Sequence, residues 1–213
     1  VYLFPIATFK CGDWKGRPYS SSLSGLDAKL YFLLHLDVFT HEEKTSVILE
    51  VLEFPDERLK SKSVPVAKFD STLHTLLDNM AETMYSKNGI GLAAAQVGQF
   101  IRALVIDLGP AENEEAKLWE IINPRFVKME GKTVFEEGCL SVPGYTEEVS
   151  RKAFVSVLYQ DRFGKEHTLE TKGLLAVALQ HETDHLDGVL FIDRLSPLKR
   201  RMARKKLMKA VTL

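Results

Sequence analysis

The sequence is poor in cysteine and has no long apolar run. Only two of its 213 residues are cysteines, Cys11 and Cys139, and they lie far apart in unlike surroundings. A disulfide framework is therefore not indicated, and a reducing compartment, the cytoplasm, is expected. Apolar stretches of about 18 residues or more are lacking, which argues against a membrane span. The first residues also lack the charged and apolar regions of a secretory signal, so we expect no membrane partner.

Net charge is nearly absent too, but its distribution is uneven. The formal net charge is −1 at pH 7. Residues 194–213 carry eight cations and no acid, whereas residues 47–193 carry 15 cations and 24 acids. An acidic body therefore ends in a basic tail. This asymmetry predicts that the tail contacts an anionic partner, and a solvated charged face is the simpler alternative.

Length and patterning divide the chain into three parts. Residues 47–197 are long and apolar enough to form one domain with a proper core, and residues 198–213 are predicted to form a basic C-terminal helix. Residues 1–46 begin with valine, contain one apolar cluster at 30–39 and show no sustained period. They are either an upstream extension that packs weakly or a small accessory element on the body, and both interpretations stay open.

Three segments carry apolar residues at helical spacing. The first follows Asp70, a candidate N-cap, and stops at Asn88-Gly89. The second ends at Asp187-Gly188, and the third is the basic segment 199–209. The residues expected to face the core are Leu73, Leu76, Leu77, Met80 and Met84 in the first helix, Leu174, Ala178, His181 and His185 in the second, and Leu198, Met202 and Leu207 in the third.

Compact or alternating apolar runs between these helices predict strands. They cover residues 101–108, 153–159 and 166–170, and also residues 118–127 with an interruption at Asn123-Pro124. Together the elements predict an α+β fold. In this fold antiparallel β-sheets pack around the second helix, and a further helix lies at the C-terminus.

The second helix carries the segment His181-Glu182-Thr183-Asp184-His185. Residues i and i+4 of a helix project from one face with Cβ atoms roughly 5–6 Å apart, so two such histidines can bind one metal ion. Glu182 lies about 100° further round the helix. A base acting on water at the ion would sit there. The alternative is a polar helix face on which two histidines recur by chance.

A catalytic site of this kind needs a third protein ligand. Phe191 occupies the position at which one large protease class places a third histidine. The acids that follow Glu182 all lie within residues 184–193, too close to come from a separate helix. The ligand is therefore expected upstream. Cys139 is the strongest candidate, because a thiolate binds Zn²⁺ or Fe²⁺ well, although a lone cysteine is otherwise a common buried apolar residue.

Three segments of the sequence are informative when they are considered together. They are Gly89-Ile90-Gly91-Leu92-Ala93-Ala94-Ala95-Gln96, Glu137-Gly138-Cys139-Leu140-Ser141 and Gln180-His181-Glu182-Thr183-Asp184-His185. In this order and spacing they resemble the signature motifs of the peptide deformylases, metal-dependent enzymes of the bacterial type. The resemblance covers residues 47–213. The first segment also matches the dinucleotide fingerprint G-x-G-x-x-A, but that motif must follow a strand, and here a helix is predicted before it.

The resemblance implies hydrolysis of the N-formyl group from the starting methionine of new polypeptides, with release of formate. It implies that Glu182 is the catalytic base, and that the side-chain amide of Gln96 and the backbone N–H of Leu140 stabilise the oxyanion. The metal ligands would be Cys139, His181 and His185. Substrate contacts are expected from Ile90, Gly91, Glu137, Val177 and Ala178. For Val177, plain core packing is the alternative.

The cofactor and the peptide partner follow from the same resemblance, and the RNA partner follows from the dense positive charge of the C-terminal helix. One divalent ion is expected, typically Fe²⁺, with Zn²⁺, Ni²⁺ or Co²⁺ also accepted. The expected partners are N-formyl-methionine nascent peptides and ribosomal RNA, which the basic C-terminal helix would contact. Two other functions remain open, namely a metalloprotease that cuts internal peptide bonds and a ribosome-associated metal-binding module without catalysis. The intact Glu182 and Gln96 argue against the second.

Overall fold

The computed structural model describes residues 47–110 and 117–211, which lie in one compact unit. The predicted extension at residues 1–46 lies outside these residues. In this part of the chain seven strands form two antiparallel sheets, a five-stranded sheet of order β1-β2-β3-β6-β7 and a hairpin of β4 and β5. The strands are β1 Gly91–Ala93, β2 Ala103–Ile106, β3 Trp119–Glu130, β4 Thr133–Cys139, β5 Val142–Arg151, β6 Phe154–Gln160 and β7 Glu166–Lys172.

The α-helices of the described residues are α1 Ser71–Ser86, α2 Gly173–Leu186 and α3 Pro197–Val211. The predicted α+β class, with antiparallel sheets around the helix of the histidine motif and a helix at the C-terminus, is confirmed. Within the described residues, no helix combines the length and the apolar character needed to cross a bilayer.

The first helix begins and packs as its sequence predicts. The carboxylate of Asp70 accepts hydrogen bonds from the backbone N–H groups of Thr72 and Leu73, which caps α1. The apolar face of α1, including Leu77 and Met80, is fully buried against one face of the five-stranded sheet. The helix therefore supports the sheet from the side opposite to α2.

Residues 118–127 were expected to be interrupted at Asn123-Pro124, yet β3 runs on through them. The strand absorbs the irregularity as a shift of register between Ile122 and Arg125. Asn123 adopts a positive φ of 53°, and its side chain bonds both the N–H and the C=O of Val66. This bulge therefore attaches the segment around Val66 to the sheet.

The helix α2 lies at the centre of the fold. One of its faces packs on β1 and β2, where Ala176 and Leu179 meet Leu104 and Ile106 in a fully buried cluster. The β4–β5 hairpin, which the apolar pattern did not predict, contributes Cys139 at its tip beside the same helix. The position of α2 between sheet and hairpin brings the sequence motifs together.

The C-terminal helix forms as predicted, but two of its three expected core contacts are wrong. Leu198 and Met202 are 65% and 63% exposed, whereas Ala203 and Leu207 are buried in a cluster with Phe191. Ala203 determines which face of α3 packs against the body. Ala203 allows close approach to the body, so the face of Ala203 and Leu207 turns inward and the face of Leu198 and Met202 points to solvent.

Candidate active site and metal centre

Three buried side chains converge between α2 and the hairpin. The potential ligand atoms of Cys139, His181 and His185 all lie within 4.8 Å of one another. The Sγ atom of Cys139 is 3.2 Å from Nε2 of His185. The two imidazoles come together because they stand four residues apart on one helix, and the tight Leu140-Ser141 turn delivers the thiol from the other side.

The chemistry of this cluster fits a metal ion. The Nε2 atom of His181 is buried and has no hydrogen-bond partner among the described residues, which is costly unless a ligand engages it. Two imidazole nitrogens and one thiolate are a donor set suited to Zn²⁺ or Fe²⁺. Burial lowers the pKa of His185 well below its usual value. His185 is therefore kept neutral, the form in which histidine binds metals.

A network of charged side chains lies on the Nδ1 side of His181. The Nδ1 atom of His181 is 2.7 Å from Oε2 of Glu137, and Arg151 donates to both carboxylate oxygens of Glu137. Arg151 also donates to Asp184, which accepts further bonds from Arg194. Burial alone would raise the pKa of Glu137, but hydrogen bonds from Arg151 and His181 lower it to about 2. Glu137 is thus an anion at neutral pH, held on the far side of the imidazole.

This placement changes the expectation for Glu137. A substrate-binding role was expected, yet the side chain is fully buried and both carboxylate oxygens bond to Arg151 and His181. A carboxylate in this position fixes the tautomer and orientation of a metal-binding histidine. The contacts of Glu137 are those of a residue that orients His181, and its substrate-binding role stays a prediction.

Glu182 follows His181 on α2, and its carboxylate lies against β1. A Cβ atom placed on Gly91 would come within 2.5 Å of its Oε1 atom, so the carboxylate lies directly against the strand. Burial raises the pKa of Glu182 above its ordinary value. A buried carboxylate with a raised pKa is suited to both accepting and returning a proton near neutral pH.

Gln96 is fixed at three points beside the thiol. Its Oε1 atom accepts from the N–H of Ala93 at 2.9 Å, and its Nε2 atom donates to Ser141 Oγ at 3.1 Å and to Cys139 Sγ at 3.6 Å. The amide therefore presents its N–H groups to the cluster. Leu140 directly follows Cys139 in the turn, which brings its backbone amide into the same region.

The remaining predicted substrate residues lie on the elements around this centre. Ile90 is half-buried next to β1, and its C=O accepts from the N–H of Asp107. Val177 and Ala178 are fully buried one turn before His181. Ala178 packs in the apolar cluster between α2 and the five-stranded sheet, so its contacts are those of a core residue.

Four residues near the centre were not assigned a role from the sequence. Ser141 anchors Gln96, and Arg151 and Asp184 hold Glu137 and α2 in place. Phe191 stacks on the ring of His181 at a centroid distance of 6.0 Å. Ser141 and Asp184 stand inside the motifs and could have been suspected. Arg151 and Phe191 carry no local signal, because only the tertiary fold brings them to the centre.

Comparison with known proteins agrees with this geometry. The sequence model of the polypeptide deformylase family matches residues 48–201. A peptide deformylase from Nautilia profundicola is 52% identical over 161 residues, which are 75% of this chain and 92% of the relative.

Solved structures give the same result. A peptide deformylase from Legionella pneumophila superposes with a TM-score of 0.72 and 48% identity, covering 78% of this chain and 96% of that one. The peptide deformylase from Ehrlichia chaffeensis, solved in complex with actinonin, superposes with a TM-score of 0.71 and 41% identity. The match covers 76% of this chain and 97% of that one. The chain therefore belongs to the peptide deformylase family, hydrolases that remove the N-formyl group from newly made polypeptides.

Proposed function

We propose that Cys139, His181 and His185 bind one divalent metal ion, at which this enzyme hydrolyses the formyl-methionine amide with Glu182 as its base. This proposal rests on one observation. Three buried side chains suited to metal binding converge, and Glu182 and Gln96 are buried near them. A bound divalent ion supplies a Lewis acid that polarises the formyl carbonyl and lowers the pKa of water.

The residues of the chain perform the remaining steps. Glu182 accepts a proton from the attacking water and returns it to the leaving amine, so that formate and a free N-terminus result. The Nε2–H of Gln96 and the backbone N–H of Leu140 donate to the oxyanion that develops on the formyl oxygen. Because Ala93 and Ser141 already hold Gln96 in place, little reorganisation is needed when this charge appears.

Substrate selection follows from the tight packing around the ligands. Gly91 and Ile90 would contact the peptide along β1, and Val177 would contribute to an apolar wall for the methionine side chain. A small space at the carbonyl carbon admits hydrogen and excludes larger acyl groups. The formyl group is therefore selected by its size.

We propose Fe²⁺ as the native ion and the cytoplasm as the site of action. The Cys139 thiol is a soft ligand that suits Fe²⁺ as well as Zn²⁺, Ni²⁺ or Co²⁺, and it requires a reducing compartment. An iron form with a thiolate ligand is open to oxidation, so we expect oxygen sensitivity. Anaerobic purification should raise both the iron content and the activity, and no gain in either would contradict Fe²⁺.

We also propose that α3 contacts ribosomal RNA. Four of its cations are engaged by the body, since Lys199 bonds Glu147, Arg200 donates to the C=O of Asp193, Arg204 bonds the side chain of Asp193 and Lys206 lies over the ring of Tyr145. The opposite face carries the exposed side chains of Leu198, Arg201, Met202 and Lys205. A cationic face that points away from the body suits phosphate contact.

Formate release from formyl-Met-Ala, combined with metal analysis of the same sample, tests the proposed chemistry. We expect formate in proportion to bound metal, and no acetate from acetyl-Met-Ala. Cleavage of an internal bond in a blocked peptide that has no formyl group would instead favour the metalloprotease function. Metal binding without formate release would favour the non-catalytic module.

A further inference from the structure

A second concave site lies on the side of α2 that faces away from Glu182. It is a cavity of about 440 Å³, within the range typical of small-molecule sites. One face of α2 forms its floor, and the ends of β3 and β5 form its walls. We name it the lateral pocket. Its charged lining residues are Lys132, Arg151, Lys152, Asp184, Asp187 and Arg194.

The lateral pocket has surplus positive charge. Its two acids are already neutralised, since Asp184 bonds Arg151 and Arg194, and Asp187 bonds Arg102 at 2.7 Å. Lys132 and Lys152, in contrast, form no ion pair with any acid in the described part of the chain. An anion entering the pocket would therefore meet two uncompensated lysines without facing an uncompensated carboxylate.

The uncharged polar groups that α2 contributes to the lining are not available to a ligand. Thr183 is only 6% exposed, and its Oγ1 atom is covered by protein atoms. The neighbouring carboxamide of Gln180 is fully used, because it bonds the N–H and C=O of Lys152 and the C=O of Ala176. The cations of the lining are therefore the groups that a ligand in the pocket would contact.

We infer that the lateral pocket binds a small organic anion that carries a carboxylate or phosphate group. The anionic group would contact Lys132, Lys152 and Arg194. The exposed flank of Met129 and the ring of Phe126 line the pocket and suit the apolar part of such a ligand. Lys132 and Lys152 form no contact with the metal centre in the described residues, so variants at these two lysines test the lateral pocket separately from deformylation.

Titration of the metal-loaded enzyme with citrate and, separately, with phenyl phosphate tests this inference. Backbone amide chemical shifts are followed at Lys132, Lys152 and Thr183. We expect saturable shifts with at least one probe, and the tighter probe identifies the preferred anionic group.

Variants provide the controls. Lys132→Glu/Lys152→Glu should weaken the binding by about tenfold or more and leave formate release unchanged. The matched variant Lys62→Glu/Lys165→Glu changes two exposed lysines outside the pocket and should bind like the wild type. Absence of saturable shifts with both probes, or equal affinity in the wild type and the pocket variant, would overturn the inference.

Discussion

The Nδ1 atom of His181 lies 2.7 Å from the Oε2 atom of Glu137, a carboxylate that no solvent reaches. Arg151 holds Glu137 through both of its oxygens, so the carboxylate cannot turn away from the imidazole. The proton of His181 is therefore placed on Nδ1, and Nε2 faces Cys139 and His185. We therefore expect metal binding to depend on Glu137 and Arg151, residues that would not touch the ion.

The first prediction concerns the contact between Glu137 and His181. Glu137→Gln keeps the shape of the side chain but removes the charge that pairs with Arg151 and polarises His181. We expect the affinity for Zn²⁺ or Fe²⁺ to fall by roughly 10- to 100-fold, measured by competition with a chelator. Glu136→Gln, on the same strand with its side chain exposed, is the control. Equal metal affinity in both variants would show that Glu137 does not orient His181.

A second prediction tests the close approach of β1 to the base. The Cβ atom of a Gly91→Ala variant would lie 2.5 Å from Glu182 Oε1, so the carboxylate must shift. We expect kcat for formate release to fall by about tenfold or more, since small displacements of a base are costly, with metal content unchanged. In a Glu182→Asp background the shorter side chain leaves room, and the effect of Gly91→Ala should shrink. If Gly91→Ala lowered kcat equally in the Glu182→Asp background, the clash with Glu182 would not be the cause.

The third prediction concerns Ser141. Its hydroxyl accepts from Gln96 Nε2 at 3.1 Å, and its loss in Ser141→Ala would leave the amide less firmly oriented toward the oxyanion. We expect kcat to fall about tenfold while KM and metal content stay near the wild-type values. Ser150→Ala, an exposed change on the same hairpin, should have no effect. A change confined to KM would assign Ser141 to substrate binding instead.

The exposed face of α3 gives a fourth prediction. Deleting residues 198–213 would also remove Ala203 and Leu207 from the core, so charge reversal is the cleaner change. Arg201→Glu/Lys205→Glu should reduce ribosome co-sedimentation and lower its salt dependence, by about 0.7–0.9 in the logarithmic slope per lost phosphate contact. Lys62→Glu/Lys165→Glu has the same net charge and should bind as the wild type. Co-sedimentation that is identical in both variants would refute the proposed RNA contact.

Much of the site was predictable because its chemistry is local. The spacing of His181 and His185 on one helix predicts two ligands, and the lack of a downstream partner directed the search to Cys139. The N-cap at Asp70 and the apolar period after it likewise predicted α1. In each case the decisive information lies within one helical turn or one short motif.

The rest depended on tertiary contacts that leave no local signal. Arg151 reaches the centre only because the β4–β5 hairpin folds over α2, and that hairpin carries too many charged residues to show an alternating apolar pattern. The inward face of α3 was mispredicted because Leu198 and Met202 are larger than Ala203. Close packing against the body favoured the small residue, a choice that hydrophobicity alone does not predict.

The fifth prediction tests the central claim, that Glu182 moves the proton while Cys139, His181 and His185 hold the ion. Glu182→Gln keeps the size of the side chain but cannot accept a proton. The measurement is formate release from formyl-Met-Ala at saturating substrate, with metal content determined on the same protein sample. We predict one bound metal ion per chain, as in the wild type, and a turnover lower by roughly a hundredfold or more. Turnover near that of the wild type, with the metal still bound, would contradict the role of Glu182.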